Sequence, residues 1–165
     1  MEQNLGSITR SLISHSMTYG EYRALIDSLL AENKTTGHNH TEAYLNYTRM
    51  NVLRMNRWDK TAQVSESLKQ AVQSIQEDQI WLVITEAWCG DAAQNIPFLV
   101  KLSELNPKIQ LRFILRDEHP EVMDEYLTNG ARSIPKLVAM TSDLCCELFT
   151  WGPRPQSAHA LVMDY

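Results

Sequence analysis

One cysteine stands where a thiol is readily activated. In the stretch Glu86–Gln94 (EAWCGDAAQ), Cys89 lies between Trp88 and Gly90, after an apolar run that reads as a strand and before a pattern that reads as a helix. The orphan N–H groups and dipole of a helix N-terminus stabilise negative charge, which lowers a thiol's pKa and supplies thiolate. Three residues on, where a second cysteine would close a C-x-x-C disulfide, stands Ala92. Cys89 alone can attack a disulfide to form a mixed disulfide, which a second molecule must then resolve. It can also be oxidised to a sulfenic acid. Asp91 opposes reactivity, because a carboxylate in the first helical turn competes for the same positive end and repels a thiolate. It serves either as a helix-stabilising charge or as a catalytic acid–base. A second stretch, Arg132–Val138 (RSIPKLV), sets Ser133, Ile134 and Pro135 immediately before a strand. A proline there holds the preceding backbone extended, in a form that a substrate peptide can use as a strand edge.

These residues need a scaffold, and the hydrophobic pattern supplies one. Thr18 and Glu21 have the spacing of a capping box, followed by Tyr22, Leu25, Ile26, Leu29 and Leu30 at helical intervals. That helix should stop near Asn33–Gly37. A second should open at Thr41 with Tyr44, Leu45, Thr48, Val52 and Met55 on one side. A third should carry Val64, Leu68, Ala71, Val72 and Ile75 as a core stripe. The second half changes character. Ile80–Thr85 is a continuous apolar run suited to a strand buried on both faces, and a helix is expected over 90–104. Lys108–Leu115 reads as a second strand, and Arg116–Leu127 as a turn leading into a helix with Pro120 in its first turn. Lys136–Met140 and Leu144–Phe149 read as an antiparallel hairpin, and a last helix is expected from Pro155 to Tyr165. The strand–helix–strand unit should be a right-handed parallel crossover. The fold class expected is α/β, with helices on both faces of a mixed sheet of about four strands.

At this point the wording WCGDAAQNIP followed by GARSIPKLV resembles the thioredoxin superfamily, whose motif is W-C-G-P-C. Pro97 stands eight residues after Cys89, as the family's helix proline does. Ile134-Pro135-Lys136 resembles the cis-proline loop, Asp117–Pro120 its D-x-x-P turn, and Gly152 its glycine after the last strand. The resemblance covers roughly residues 62–165 and implies a thioredoxin-like fold, with residues 1–61 as a helical N-terminal extension packed on the core. The full wording is similar to an uncharacterised bacterial branch. Trp88, Gly90, Ala92, Ser133, Ile134, Pro135 and Trp151 would then line a substrate groove beside Cys89 and Asp91. The departures all touch one step. Ala92 replaces the resolving cysteine, Val83 replaces the family's buried acid, and Phe113 replaces its lysine. Dithiol reductase chemistry is therefore not expected.

Cys145 and Cys146 do not rescue it in this reading. At the start of the last strand they would lie far from Pro135 and point to opposite faces, one buried and one partly exposed. His38 and His40 read as a solvated loop, and Arg54, Arg57 and Lys60 as either a salt-bridged helix end or a receptor for an anionic group. With 165 residues, a net charge of −5 and interspersed charges, nothing favours nucleic acid or an anionic membrane as partner. No segment reaches the roughly 18 apolar residues of a membrane span. Three cysteines make a poor disulfide framework, and a reducing cytoplasm is expected. No cofactor or metal is expected. Two functions stay open: monothiol exchange or redox response with a protein or low-molecular-weight thiol or disulfide, and a non-redox module that binds a peptide in the groove. A glutaredoxin-like handling of glutathione or an iron–sulfur cluster has less in its favour.

Overall fold

The computed structural model describes residues 3–156 and 158. Four strands form one mixed sheet in the order β2-β1-β3-β4, with β1 (Gln79–Thr85), β2 (Ile109–Leu115), β3 (Lys136–Thr141) and β4 (Glu147–Trp151). β1 pairs in parallel with β2 and antiparallel with β3, and β3 pairs antiparallel with β4. The fold is the expected α/β arrangement, a four-stranded mixed sheet flanked by helices with further helices ahead of it.

The apolar run of β1 is buried from Ile80 to Thr85 because each face meets helices. On one face, Trp81 and Val83 pack with Tyr22 and Ile26 of α2 (Tyr19–Ala31), Met55 of α3 (Glu42–Thr61), Val72 of α4 (Glu66–Gln73) and Ile96 of α5 (Gly90–Glu104). On the other, Ile80, Leu82 and Ile84 pack with Ile13 of α1 (Arg10–His15) and with Val122 and Met123 of α6 (Pro120–Met123). The N-terminal residues thus contribute to both layers. Met17 also exchanges backbone hydrogen bonds with Phe113, 2.9 and 2.8 Å long, along the outer edge of β2. Thr18 and Glu21 form the expected capping box on α2, and α5 begins at Gly90 and ends at Glu104.

Three local readings are corrected. α4 buries Val72 but leaves Leu68 41% exposed, where it lines an apolar cavity with Phe98 and Phe149. The helix after Pro120 is a single turn. Most consequentially, β4 starts at Glu147, not Leu144. Leu144 takes a left-handed φ of 62° and is fully buried. The carboxylate of Asp143 and the hydroxyl of Thr141 accept the N–H groups of Cys145 and Cys146. Side chains that capture backbone donors compete with strand pairing, so both cysteines belong to the turn. The helix expected from Pro155 to Tyr165 falls largely outside the described residues. Among the described residues, no helix is long and apolar enough to cross a membrane.

Candidate functional site

β1 delivers the chain to the end of the sheet, and Cys89 caps the helix that follows. It is the N-cap of α5, with extended backbone (φ −78°, ψ 120°), and its sulfur accepts the N–H of Ala92 at 3.5 Å. An N-cap side chain satisfies a helical donor that would otherwise be orphaned. The thiol also donates to the carbonyl of Ile134 at 3.4 Å, and the Ile134–Pro135 peptide is cis. The structure therefore brings the two sequence stretches together through the sulfur itself. Cys89 is only partly exposed. Burial pushes its thiol up, and Asp91 adds to the rise. The N–H groups of Ala92 and Asp91 and the guanidinium of Arg116 pull the other way without prevailing. The sequence left the balance between the helix end and Asp91 open; burial, the largest contribution, tips it toward a raised thiol.

Trp88 forms one wall. Its ring meets Tyr44 edge-on at 5.2 Å, and the Arg116 guanidinium lies 5.0 Å from its centroid. Beneath it lies Glu86, fully buried. One carboxylate oxygen accepts the N–H of Asp117 at 2.9 Å, while Oε2 has no hydrogen-bond partner. Burial pushes the Glu86 carboxyl up, and the charge of Asp117 acts in the same direction. Gly37 closes over this corner with φ 78°. A Cβ there would come within 2.8 Å of Asp117 Oδ2, so the position combines a left-handed backbone with a close approach. Sequence alone did not assign Tyr44, Gly37 or Arg116 to the site, since nothing in the local pattern of the N-terminal helices shows that they reach Trp88.

On the opposite side Asp91 faces Arg154, N to O at 3.8 Å. Arg54 Nη1 lies 3.5 Å from where a Cβ on Gly90 would be, and donates to Asn51. Arg57 stacks on Trp58 at 5.3 Å. Ala92 is buried, Ser133 half-buried and Ile134 nearly buried. Gly152, with φ 125°, crosses so close to Pro135 that a Cβ would overlap the Pro135 carbonyl oxygen. Trp151 pairs with Leu137. Its side chain lines an apolar cavity of about 640 Å³ with Trp81, Phe98, Leu99 and Phe149.

Val83 and Phe113 are adjacent across β1 and β2 and fully buried. Tyr22 stacks on Phe113 at 5.4 Å, and its hydroxyl lies 3.2 Å from that of Thr85. Aromatic packing therefore fills this layer beneath the cysteine, and an ionisable pair is not present at these two positions. His40 accepts the N–H of Thr35. Among the described residues no group of three or more His, Cys, Asp and Glu has the arrangement of a metal site.

The comparisons agree with this architecture. The chain is similar in fold to an HIV epitope scaffold at 16% identity, covering 90% of this chain and 79% of that one, with a TM-score of 0.60. It is also similar to PA1234 from Pseudomonas aeruginosa, a protein of unknown function, at 18% identity, covering 90% and 87%, with a TM-score of 0.53. No curated protein matches the chain. The family model Thioredoxin_9, described as thioredoxin, matches residues 37–165 and so takes in α3 as well as the sheet. With its mixed four-stranded sheet and a family match over most of its length, the chain belongs to this thioredoxin family.

Proposed function

We propose that this protein is a single-thiol exchange or redox-responsive protein in which Cys89 accepts a mixed disulfide. The observation that carries this reading is the Cys89 sulfur, held between the Ala92 N–H and the Ile134 carbonyl at the head of α5. Loss of the thiol proton to solvent gives the thiolate, which attacks one sulfur of a partner disulfide. The partner's other sulfur leaves as thiolate. With Ala92 in place of a second cysteine, an external thiol completes the cycle, attacking the partner-side sulfur and releasing Cys89. Arg54, Arg116 and Arg154 around the site suit a partner that bears carboxylates, such as glutathione or an acidic peptide. The free cysteines fit a reducing compartment such as a bacterial cytoplasm.

The raised thiol pKa sets the kinetics. Thiolate is scarce at neutral pH, so the exchange rate should climb about tenfold per pH unit until the pKa is reached. The test is the pH dependence of exchange with an aromatic disulfide, for the wild type and Cys89→Ser in a Cys145→Ser/Cys146→Ser background. Exchange by the wild type that is lost in Cys89→Ser supports the reading. Equal rates with and without Cys89 overturn it. The same burial of the thiol favours a second reading, a non-redox module that binds a peptide beside Pro135. That module would keep its partner after Cys89→Ser.

A further inference from the structure

Cys145 and Cys146 sit in the β3–β4 turn, at the end of β3 away from Cys89. Six residues of strand, Lys136–Thr141, separate the two ends by roughly 20 Å at about 3.3 Å per residue. Neighbouring residues on a strand point to opposite faces, but the turn made by Leu144, Asp143 and Thr141 removes that constraint. Both thiols are exposed and their sulfurs are 3.4 Å apart. Among the described residues, each sulfur has the other as its hydrogen-bond partner. The backbone N–H groups of both residues are already fixed by Asp143 and Thr141, and the Thr141 N–H bonds the Cys146 carbonyl at 3.0 Å. The sulfurs are thus held in contact, but the Cα atoms of neighbours joined by a trans peptide are about 3.8 Å apart, closer than in an ordinary disulfide, so the ring that closes is strained and readily reduced.

We propose that Cys145 and Cys146 form a vicinal dithiol that closes to a disulfide by exchange with a low-molecular-weight disulfide such as oxidised glutathione. One cysteine, as thiolate, attacks a sulfur of glutathione disulfide, forming a mixed disulfide and expelling one glutathione thiolate. The neighbouring cysteine loses its proton and attacks the protein-side sulfur. The Cys145–Cys146 bond forms and the second glutathione thiolate leaves. Two protein thiols are oxidised, one disulfide is reduced, and the two protons go to the departing glutathiones. The hydrogen bond with Cys146, then the charges of Cys146 and Asp143, push the Cys145 thiol up, so closure that starts from the Cys145 thiolate quickens with pH. This site works without Cys89 and stands or falls separately from the exchange proposed there.

Reduced Cys89→Ser protein is incubated with oxidised glutathione, quenched in acid and weighed intact by mass spectrometry. The expected product lacks two hydrogens, carries no glutathione, and recovers both thiols on reduction. Variants that also carry Cys145→Ser or Cys146→Ser should stop at the glutathione adduct. A persistent adduct on the intact pair, a disulfide-linked dimer, or two unreacted thiols would overturn the proposal. Peptide mapping of oxidised wild-type protein provides a check that does not depend on the folding of any variant. It should place the new bond between Cys145 and Cys146, and a bond to Cys89 or to a second chain overturns the proposal equally.

Discussion

Cys89 lies at one end of the sheet, half-buried beside Ile134 and Trp88, while Cys145 and Cys146 lie at the far end of β3 in an exposed turn. Reactivity at the two ends is governed by different variables. At the Cys89 end the sulfur is built into the structure, capping α5 and donating to Ile134. Its availability is limited by desolvation that the helix end and Arg116 do not fully offset. At the other end no core depends on the sulfurs, and their mutual distance is what matters. The same atom is a structural part in one place and a free reagent in the other. Changes at the two ends should therefore differ in cost.

The largest effect is expected at Gly152. Its φ of 125° and its approach to the Pro135 carbonyl leave no space for a side chain. Gly152→Val should cost about 3 kcal/mol or more, combining backbone strain with displacement of the proline loop, read as a fall in the urea midpoint at constant slope. A near-unchanged midpoint would mean that the Cys89 end is not rigidly held.

An intermediate, pH-dependent effect is expected at Glu86. Its carboxyl is raised in the folded state above the ordinary value of 4.5, so between those two values the folded protein binds more protons than the unfolded chain. The penalty for burying the charge is absent below pH 4.5 and accumulates as pH rises through the folded pKa. Glu86→Gln should remove this downward slope, and thermal melts across pH 4 to 9 for wild type and variant check it. Parallel curves would show that Glu86 carries no such penalty. The smallest effect is expected at the other end. Cys145→Ala/Cys146→Ala should shift stability by no more than about 0.5 kcal/mol in reducing buffer. A larger loss would show that the turn sulfurs support the fold and would erase the contrast.

The elements were legible where local signals agree. Thr18 and Glu21 mark a helix start, Ile80–Thr85 a doubly buried strand, and Gly90–Glu104 a helix with both ends placed correctly. The juxtaposition of Cys89 with Ile134 was legible only through the family wording, since the two residues come from distant parts of the chain. The turn at Leu144 was misread because an apolar residue with left-handed backbone looks like the first residue of a strand.

By itself, then, the sequence determined the order of α2 to α5 and of the four strands, the mixed α/β sheet and the absence of a C-x-x-C pair, all of which follow from residue type and spacing. Tertiary structure decided the rest. It set the direction of the Cys89 pKa, because desolvation depends on how much of the chain closes around a sulfur. It brought Tyr44, Gly37 and Arg116 to Trp88, contacts that no local pattern encodes. It turned Cys145 and Cys146 toward each other, because captured backbone donors in a turn, and not strand alternation, set where their side chains point.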